Sequence, residues 1–243
     1  FRGCQAQILQ YANIENKRET YYSPAMTAPA LTRAPHRPRP ALTALGELSF
    51  TLARAHELCG AARRVLALLL ARETAGPVFW VQPAWAPDRL YPDAVARFIA
   101  PGRLHFVHPL RAEDLLWTVE EVLRSAAVPL VVADLPEPPG LTPVRRLHLA
   151  AEAGAALGGT APLGLLLSPG AGGAAGVESR WHAAPRHRAG AAEWRLERRR
   201  ARSAPPRAWL LRDGDGGGFS LIPAPETTHH PSHSDRTEGA NVG

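Results

Sequence analysis

The sequence predicts an α/β protein with a mainly parallel central sheet that is covered by helices on both faces. Short apolar segments typical of buried strands alternate with helical segments between residues 52 and 167. Glycine and proline pairs separate successive segments, as at Gly76-Pro77 and Gly158-Gly159. Continuous apolar strands that alternate with helices favour parallel pairing, because parallel strands are buried on both faces and need long crossover connections.

This parallel region contains predicted strands and helices in alternation. The strands are expected at residues 52–58, 78–81, 104–107, 128–133 and 163–167, and the helices at residues 61–72, 91–99, 112–125 and 144–157. The helix at 112–125 carries one apolar stripe, formed by Leu115, Leu116, Val119, Val122 and Leu123. Its acidic residues are expected to face away from that stripe into solvent, and they are Glu113, Asp114, Glu120 and Glu121.

The C-terminal third of the domain changes to antiparallel patterning. Strands are expected at residues 180–183 and 193–198, where Trp194 and Leu196 share one face and Arg195 and Glu197 share the other. Two further strands, at residues 208–211 and 219–222, flank a glycine-rich loop suited to a hairpin. The Gly/Ala-rich segment between the two regions, residues 168–176, is expected to be mobile.

Composition separates an ordered domain from two tails. Residues 27–43 are rich in Pro, Arg, Ala and Thr without periodicity, so the whole segment 1–43 is predicted to be disordered. The ordered domain is expected at residues 44–222, and residues 223–243 are predicted to form a disordered polar tail. Met26 is the only methionine, and residues 1–25 differ in composition, so they are interpreted as non-native upstream sequence; a genuine N-terminal extension is the alternative.

Charge and cysteine content narrow the range of environments and partners. The formal net charge of +6 favours acidic partners, nucleic acid included. The two cysteines, Cys4 and Cys59, cannot form a disulfide framework, which fits a reducing cytoplasm. Neither a membrane-spanning apolar run nor a secretory leader pattern is found. The sequence therefore predicts a cytoplasmic protein without a membrane partner.

The first predicted strand and helix frame an incomplete phosphate loop. In nucleotide-binding domains a GxxxxGK[ST] loop cradles the phosphates with its amides, and its Lys-Ser/Thr pair contacts phosphate and magnesium. Here only Gly60 is present, the loop is about three residues shorter than that motif, and Arg63 and Arg64 take the place of the pair. Arginine binds phosphate but lacks the hydroxyl that ligates magnesium. The sequence therefore predicts no ATP hydrolysis and no cofactor.

Several short motifs follow one another between residues 46 and 212. They are His56-Glu57-Leu58-Cys59-Gly60, the strands Val78-Phe79-Trp80-Val81 and Pro129 to Asp134, the helical segments 116–121 and 145–153, and a closing strand pair with Trp194 and Trp209. In order and spacing they resemble RecA-type recombinases, and in particular the ImuA family of RecA-like, SulA-related bacterial SOS mutagenesis proteins.

The resemblance implies a RecA-like fold of the P-loop-NTPase type and places Asp134 at the Walker B position. RecA-type enzymes carry a glutamate just after the second strand, where this chain reads Gln82-Pro83-Ala84, so no catalytic carboxylate is expected there. Asp134 is interpreted instead as a loop cap or hydrogen-bond acceptor. The implied function is a non-catalytic, DNA-damage-induced adaptor in error-prone translesion DNA synthesis.

The resemblance also implies partners, and two other functions stay open. The implied partners are an ImuB-type inactive Y-family polymerase and an error-prone replicative-type polymerase, with RecA and single-stranded DNA as further candidates. One alternative is an inhibitor of cell division like SulA, which would bind the tubulin-like ring protein. The other is a working DNA-dependent ATPase of the RecA class.

An arginine cluster in the C-terminal strands is a candidate nucleic-acid site. The cluster consists of Arg195, Arg198, Arg199, Arg200, Arg202 and Arg207. It would contact phosphates of single-stranded DNA, with Trp194 or Trp209 as a stacking platform. The alternative is a solvated edge with both tryptophans in the core. His229, His230 and His233 lack a Cys or carboxylate partner at ligand spacing, so no metal site is predicted.

Overall fold

The computed structural model describes residues 39–214 and 218–225, which form an α/β domain built on one large mixed sheet. The helices are α1 (Arg63–Arg72), α2 (Pro92–Ala96), α3 (Ala112–Ser125) and α4 (Leu141–Ala156), and a 3-10 turn spans Pro101–Arg103. The strands are β1 (Ala41–Ala44), β2 (Leu48–Thr51), β3 (Arg54–Cys59), β4 (Val78–Val81), β5 (Leu104–Val107), β6 (Leu130–Asp134), β7 (Leu163–Ser168), β8 (Ser179–Pro185), β9 (Glu193–Ala201), β10 (Arg207–Asp213) and β11 (Phe219–Pro223).

Nine strands form the sheet in the order β11-β10-β9-β8-β3-β7-β6-β4-β5. From β5 to β8 each strand pairs in parallel with its neighbours, whereas β9, β10 and β11 continue the sheet in antiparallel pairing. The first strand of the sheet, β3, lies in its middle between β7 and β8. The predicted α/β class, with mostly parallel strands followed by antiparallel ones, is therefore confirmed.

Two hydrophobic cores lie on opposite faces of this sheet. On the first face α1 and α2 pack with the β1–β2 hairpin, and Leu58, Trp181 and Leu196 point into this core. On the second face α3 and α4 pack on strands β3, β4, β6 and β7, and Ala55 and Leu166 point into that core. Among the described residues this second core contains none from β8, β9 or β10. Helices thus cover both faces of the parallel strands, whereas the described residues cover the antiparallel strands on the first face only, where the β1–β2 hairpin packs against them.

The ordered domain begins earlier and ends later than the sequence predicts. Ala41–Ala44 pairs antiparallel with Leu48–Thr51, so the prediction of disorder is wrong for residues 41–43. Leu48 and Phe50 are buried in the first core, and Trp209 Nε1 donates a hydrogen bond of 2.7 Å to Glu47. Pro223 belongs to β11, which corrects the other boundary. The predictions for residues 1–38 and 226–243 lie outside the described residues.

The contact between α3 and α4 corrects the predicted solvent face of α3. Glu120 is buried, and its carboxylate lies 2.8 Å from Arg146 of α4 and also pairs with Arg124. The prediction that Glu120 faces solvent is therefore wrong, because the second helix brings a cation to it. Within residues 39–214 and 218–225 every helix is too short or too polar to cross a membrane.

Candidate functional site

The carboxyl ends of the parallel strands form the edge at which open α/β sheets bind ligands. At this edge β3 passes into α1 through only three residues, Gly60, Ala61 and Ala62. Gly60 has a φ of +87°, which favours glycine, and a Cβ here would collide with the carbonyl oxygen of Ala183. The loop is therefore held against β8 instead of opening into a phosphate cradle.

Three backbone amides at this loop, those of Gly60, Ala62 and Arg63, already have carbonyl partners. The amide of Gly60 donates to the carbonyl of Gly170 at 2.9 Å, and that of Ala62 donates to Ala183 at 3.0 Å. The amide of Arg63 lies 3.3 Å from the carbonyl of Gly60. An anion site at a helix N-terminus needs backbone N–H groups that point at the ligand. A phosphate would have to displace these bonds before it could bind.

Asp134, at the end of β6, binds both arginines of the incomplete phosphate loop. Arg64 Nε donates to Asp134 Oδ2 at 2.6 Å, and Arg63 Nη2 lies 3.5 Å from Oδ1. The carboxylate is only 5 % exposed, so these cations are its neutralising partners. The structure thus brings together the three residues that the sequence singled out at this edge, and they form an ion-pair cluster.

Gln82, directly after β4, has a neutral side-chain amide that bonds to the loop following the strand. Gln82 is buried, and its side-chain Nε2 donates to the backbone carbonyl of Asp88. Its backbone carbonyl lies 3.2 Å from His108 Nδ1. Gln82 therefore joins the β4–α2 loop to the segment after β5.

Glu57 is a buried carboxylate that sequence reasoning did not single out. It accepts hydrogen bonds from the amides of Gly173 at 2.8 Å and Ala174 at 2.9 Å, and from Arg180. Burial alone would raise the pKa of Glu57, but these bonds outweigh burial and hold its pKa below the usual range. The segment 168–176, expected to be mobile, is instead tied to this carboxylate. A carboxylate within a segment predicted to be a strand of the central sheet was the signal that could have identified it.

The six arginines of the predicted nucleic-acid cluster do not share one surface. Arg195 and Arg199 both bond Glu197, at 2.7 and 3.2 Å, on the second face of the sheet. Arg202 lies 3.7 Å from Glu178, and Arg207 lies 3.0 Å from Glu47 on the opposite side. Arg200 is exposed. Because successive side chains along a strand point to opposite faces of the sheet, the cluster is divided between the two faces.

The tryptophans proposed as a stacking platform are buried in the first core. Trp194 is 9 % exposed and Trp209 is 1 % exposed. The guanidinium of Arg198 lies 5.3 Å from the ring centre of Trp209 and 5.6 Å from that of Trp181. Arg198 therefore stacks on the protein's own aromatic rings, and no base can reach either tryptophan in this structure.

Four large apolar side chains are exposed at the β4–β5 end of the sheet. They are Trp85 (52 % exposed), Tyr91 (67 %), Phe106 (45 %) and Leu110 (82 %), here called the edge patch. The loops that carry them touch, because the amide of Ala84 donates to the carbonyl of Pro109 at 3.0 Å. Arg89 bridges the same loops through His108, on which Phe106 stacks. Exposed apolar side chains grouped in this way are typical of protein interfaces.

The described residues contain neither a candidate metal site nor a cysteine with a lowered pKa. Within residues 39–214 and 218–225 no group of three or more His, Cys, Asp or Glu could hold a metal ion. The histidines of the C-terminal tail lie outside this part of the chain. Burial raises the pKa of the Cys59 thiol to about 11, so the reactive thiolate is disfavoured.

Comparison with known proteins assigns no family to the chain. No protein-family model and no curated protein matches it.

Proposed function

We propose that this chain is a RecA-like domain that does not hydrolyse nucleotides and acts as an adaptor in error-prone translesion DNA synthesis. Its direct partner is an ImuB-type inactive Y-family polymerase, through which it meets an error-prone replicative-type polymerase. The proposal extends the resemblance to the ImuA family. A central first strand that is followed by a three-residue loop and a helix is compatible with a RecA-like fold.

The ion pairs of Asp134 with Arg63 and Arg64 carry the non-catalytic part of the proposal. Phosphoryl transfer depends on a cradle for the phosphates, a bound magnesium ion and a residue that orients the attacking water. Here the loop amides bond to carbonyls, the cations bond to the Walker-B-like carboxylate, and Gln82 stands after β4. These contacts argue against nucleotide hydrolysis at this edge of the sheet.

The edge patch supports the adaptor part of the proposal. Its aromatic side chains, Trp85, Tyr91 and Phe106, belong to residue types that are enriched at protein interfaces. Leu110 is the most exposed large apolar side chain of the described residues, at 82 %. Burying such side chains against a partner is favourable by about 1.5–3 kcal/mol for each fully covered residue. We therefore assign the polymerase-binding surface to this patch.

Capture of the purified ImuB-type partner tests this assignment. The variant Trp85→Ser with Leu110→Ser should bind at least about tenfold more weakly than the parent chain, since truncating a hot-spot residue costs about 2 kcal/mol or more and tenfold in affinity is about 1.4 kcal/mol. The matched control is Leu149→Ser with Leu157→Ser, which removes two exposed leucines from α4 and the residue that follows it. Affinities would be measured by biolayer interferometry.

Three outcomes would contradict the proposal. The parent chain could fail to bind the ImuB-type protein, or the control variant could lose as much affinity as the edge-patch variant. The chain could instead bind the tubulin-like ring protein of cell division, which would favour the SulA-like alternative. An unchanged circular dichroism spectrum would show that each variant is folded.

A further inference from the structure

The second face of β8, β9 and β10 is an open sheet face covered by arginine side chains. Because Trp181, Leu196 and Trp209 point into the first core, their neighbours along each strand point the opposite way. No described helix covers this side, since the second core ends at β3. Together with the β8–β9 loop, this surface is called the arginine face, and it carries Arg180, Arg186, Arg188, Arg195, Arg199, Arg200 and Arg212.

A β-bulge adds an extra arginine to this face. The ladder sets Trp181 opposite Arg198 and Arg180 opposite Arg200, so Arg199 is an additional residue of β9. The Nε of Arg199 bonds Glu197 at 3.2 Å, which places its side chain on the arginine face as well. The bulge therefore groups Arg199 and Arg200 at one end of the row.

Positive charge exceeds negative charge on the arginine face. Its carboxylates are Glu57, Glu193 and Glu197, and each is already bonded: Arg180 binds Glu57, Arg212 binds Glu193 at 2.6 Å, and Arg195 and Arg199 share Glu197. Arg186, Arg188 and Arg200 are exposed and form no ion pair with a described residue. Counted over the described residues, this surface therefore keeps a net positive charge after its ion pairs are subtracted.

We propose that the arginine face binds the phosphate backbone of single-stranded nucleic acid. From Glu193 to Arg200 the row along β9 is about 24 Å long at 3.4 Å per residue, enough to follow several nucleotides. Guanidinium groups bond phosphates in bidentate fashion and stack on unpaired bases. Among the described residues no helix projects from this sheet surface to enter a duplex groove, so a single strand fits it better.

The absence of apolar anchors argues against a protein ligand at this face. All large apolar side chains that are exposed among the described residues lie outside β8, β9, β10 and β11. Protein interfaces depend on such anchors, whereas binding of a nucleic-acid backbone depends on charge and stacking. This inference goes beyond the proposed adaptor function and uses a different surface, so either can fail without the other.

The test is binding of a labelled oligothymidine of about 15 nucleotides, followed by fluorescence anisotropy at several salt concentrations. The variant Arg188→Ser with Arg200→Ser removes two exposed cations, one near each end of the row, that form no ion pair with a described residue. Each lost phosphate contact should reduce the slope of log K against log salt by about 0.7, and two contacts by about 1.4. If the variant and the parent chain bind equally at 1 M salt, the variant should bind about 25-fold more weakly than the parent chain at 0.1 M salt.

The matched control is Arg111→Ser with Arg145→Ser, which removes two exposed arginines that also form no ion pair with a described residue. It has the same net charge as the test variant and should bind the oligonucleotide about as tightly as the parent chain. Equal losses in both variants, or no binding by the parent chain, would overturn the proposal. Equal or tighter binding of polyglutamate would overturn it as well, because the face would then be a site for acidic protein segments.

Discussion

At the residue scale, ion pairs occupy the position where a phosphate loop would bind its ligand. The carboxylate of Asp134 binds the side chains of Arg63 and Arg64 there. The buried carboxylate takes the 2.6 Å bond from Arg64 and faces Arg63 at 3.5 Å. Removing one partner of a buried pair usually costs several kcal/mol, because the other charge is left without compensation. A triphosphate would therefore compete with Asp134 for these cations and would also need amides that are bonded to Gly170 and Ala183.

This competition predicts that the chain does not bind Mg-ATP, even with the missing side chains restored. We expect the parent chain and the variant Arg63→Lys with Arg64→Ser to show no saturable heat in calorimetric titrations with millimolar Mg-ATP. The reason is that the three-residue loop and its amide bonds to carbonyls stay in place when only the side chains change. Micromolar, magnesium-dependent affinity in the parent chain would favour the ATPase alternative. A cooperative thermal transition would show that the variant is folded.

At the scale of secondary-structure elements, the packing of α4 against α3 depends on one glycine, Gly154. Gly154 of α4 lies against the backbone of α3, and a Cβ there would collide with the backbone carbonyl oxygen of Leu123. The backbone cannot yield as a flexible side chain would. Nearby, Glu120 of α3 bonds Arg146 of α4 at 2.8 Å, so a shift of either helix also strains this pair.

Gly154→Ala should therefore destabilise the domain although alanine is the better helix former. The propensity gain is about 1 kcal/mol, and overpacking costs about 1–3 kcal/mol, with the upper part of that range expected for a clash with backbone. Urea unfolding at constant pH measures the net change. The control is Gly159→Ala, where nothing lies within 4 Å of the added Cβ, and its effect should stay within about 0.5 kcal/mol. A stabilised Gly154→Ala variant would contradict the argument.

Local patterns in the sequence predicted most helices and strands. The features that it missed depend on contacts between residues far apart in the chain. The apolar stripe of α3 fixed its helix at Ala112–Ser125, as observed. The β1–β2 hairpin was missed, because its stability comes from burial of Leu48 and Phe50 against distant residues. The roles of Glu57 and Glu120 depend on Arg180 and Arg146, which are far away in the chain. No periodicity reveals such pairs before the fold is known.

On the scale of the whole molecule, the two candidate binding surfaces lie in different parts of one sheet. The edge patch is carried by β5 and by the loops that follow β4 and β5, and the arginine face is centred on β9, five strands from β4 in the sheet order. At about 4.8 Å per strand this separation is about 24 Å. The two proposed ligands, a protein partner and a single strand of nucleic acid, would therefore not compete for the same surface.

The stability of the whole domain should depend on pH through buried histidines. His56 is enclosed in the first core, with Nδ1 2.6 Å from the hydroxyl of Ser179 and Nε2 2.9 Å from the carbonyl of Thr51. Burial lowers the pKa of His56 from 6.5 to about 4, against the smaller opposing effect of the Thr51 carbonyl. Burial also lowers the pKa of His148 and of His182. The folded state therefore holds these rings neutral at a pH where the unfolded chain binds protons.

The free energy of unfolding should consequently fall as the pH drops from about 6.5 to about 4. Above pH 6.5 the neutral ring of His56 contributes fully to the free energy of unfolding. Because its pKa falls from 6.5 to about 4 on folding, about 3 kcal/mol of that free energy should be lost between these two pH values. His56→Gln keeps a donor and an acceptor but cannot be protonated, so it should flatten the pH dependence measured by urea unfolding. His105→Gln changes an exposed ring and should leave the slope as it is. The lowered pKa values of Glu57 and Glu197 reduce stability mainly below about 4.5, so the slopes are compared above that pH. Identical slopes for His56→Gln and the parent chain between pH 6.5 and 4.5 would contradict this account.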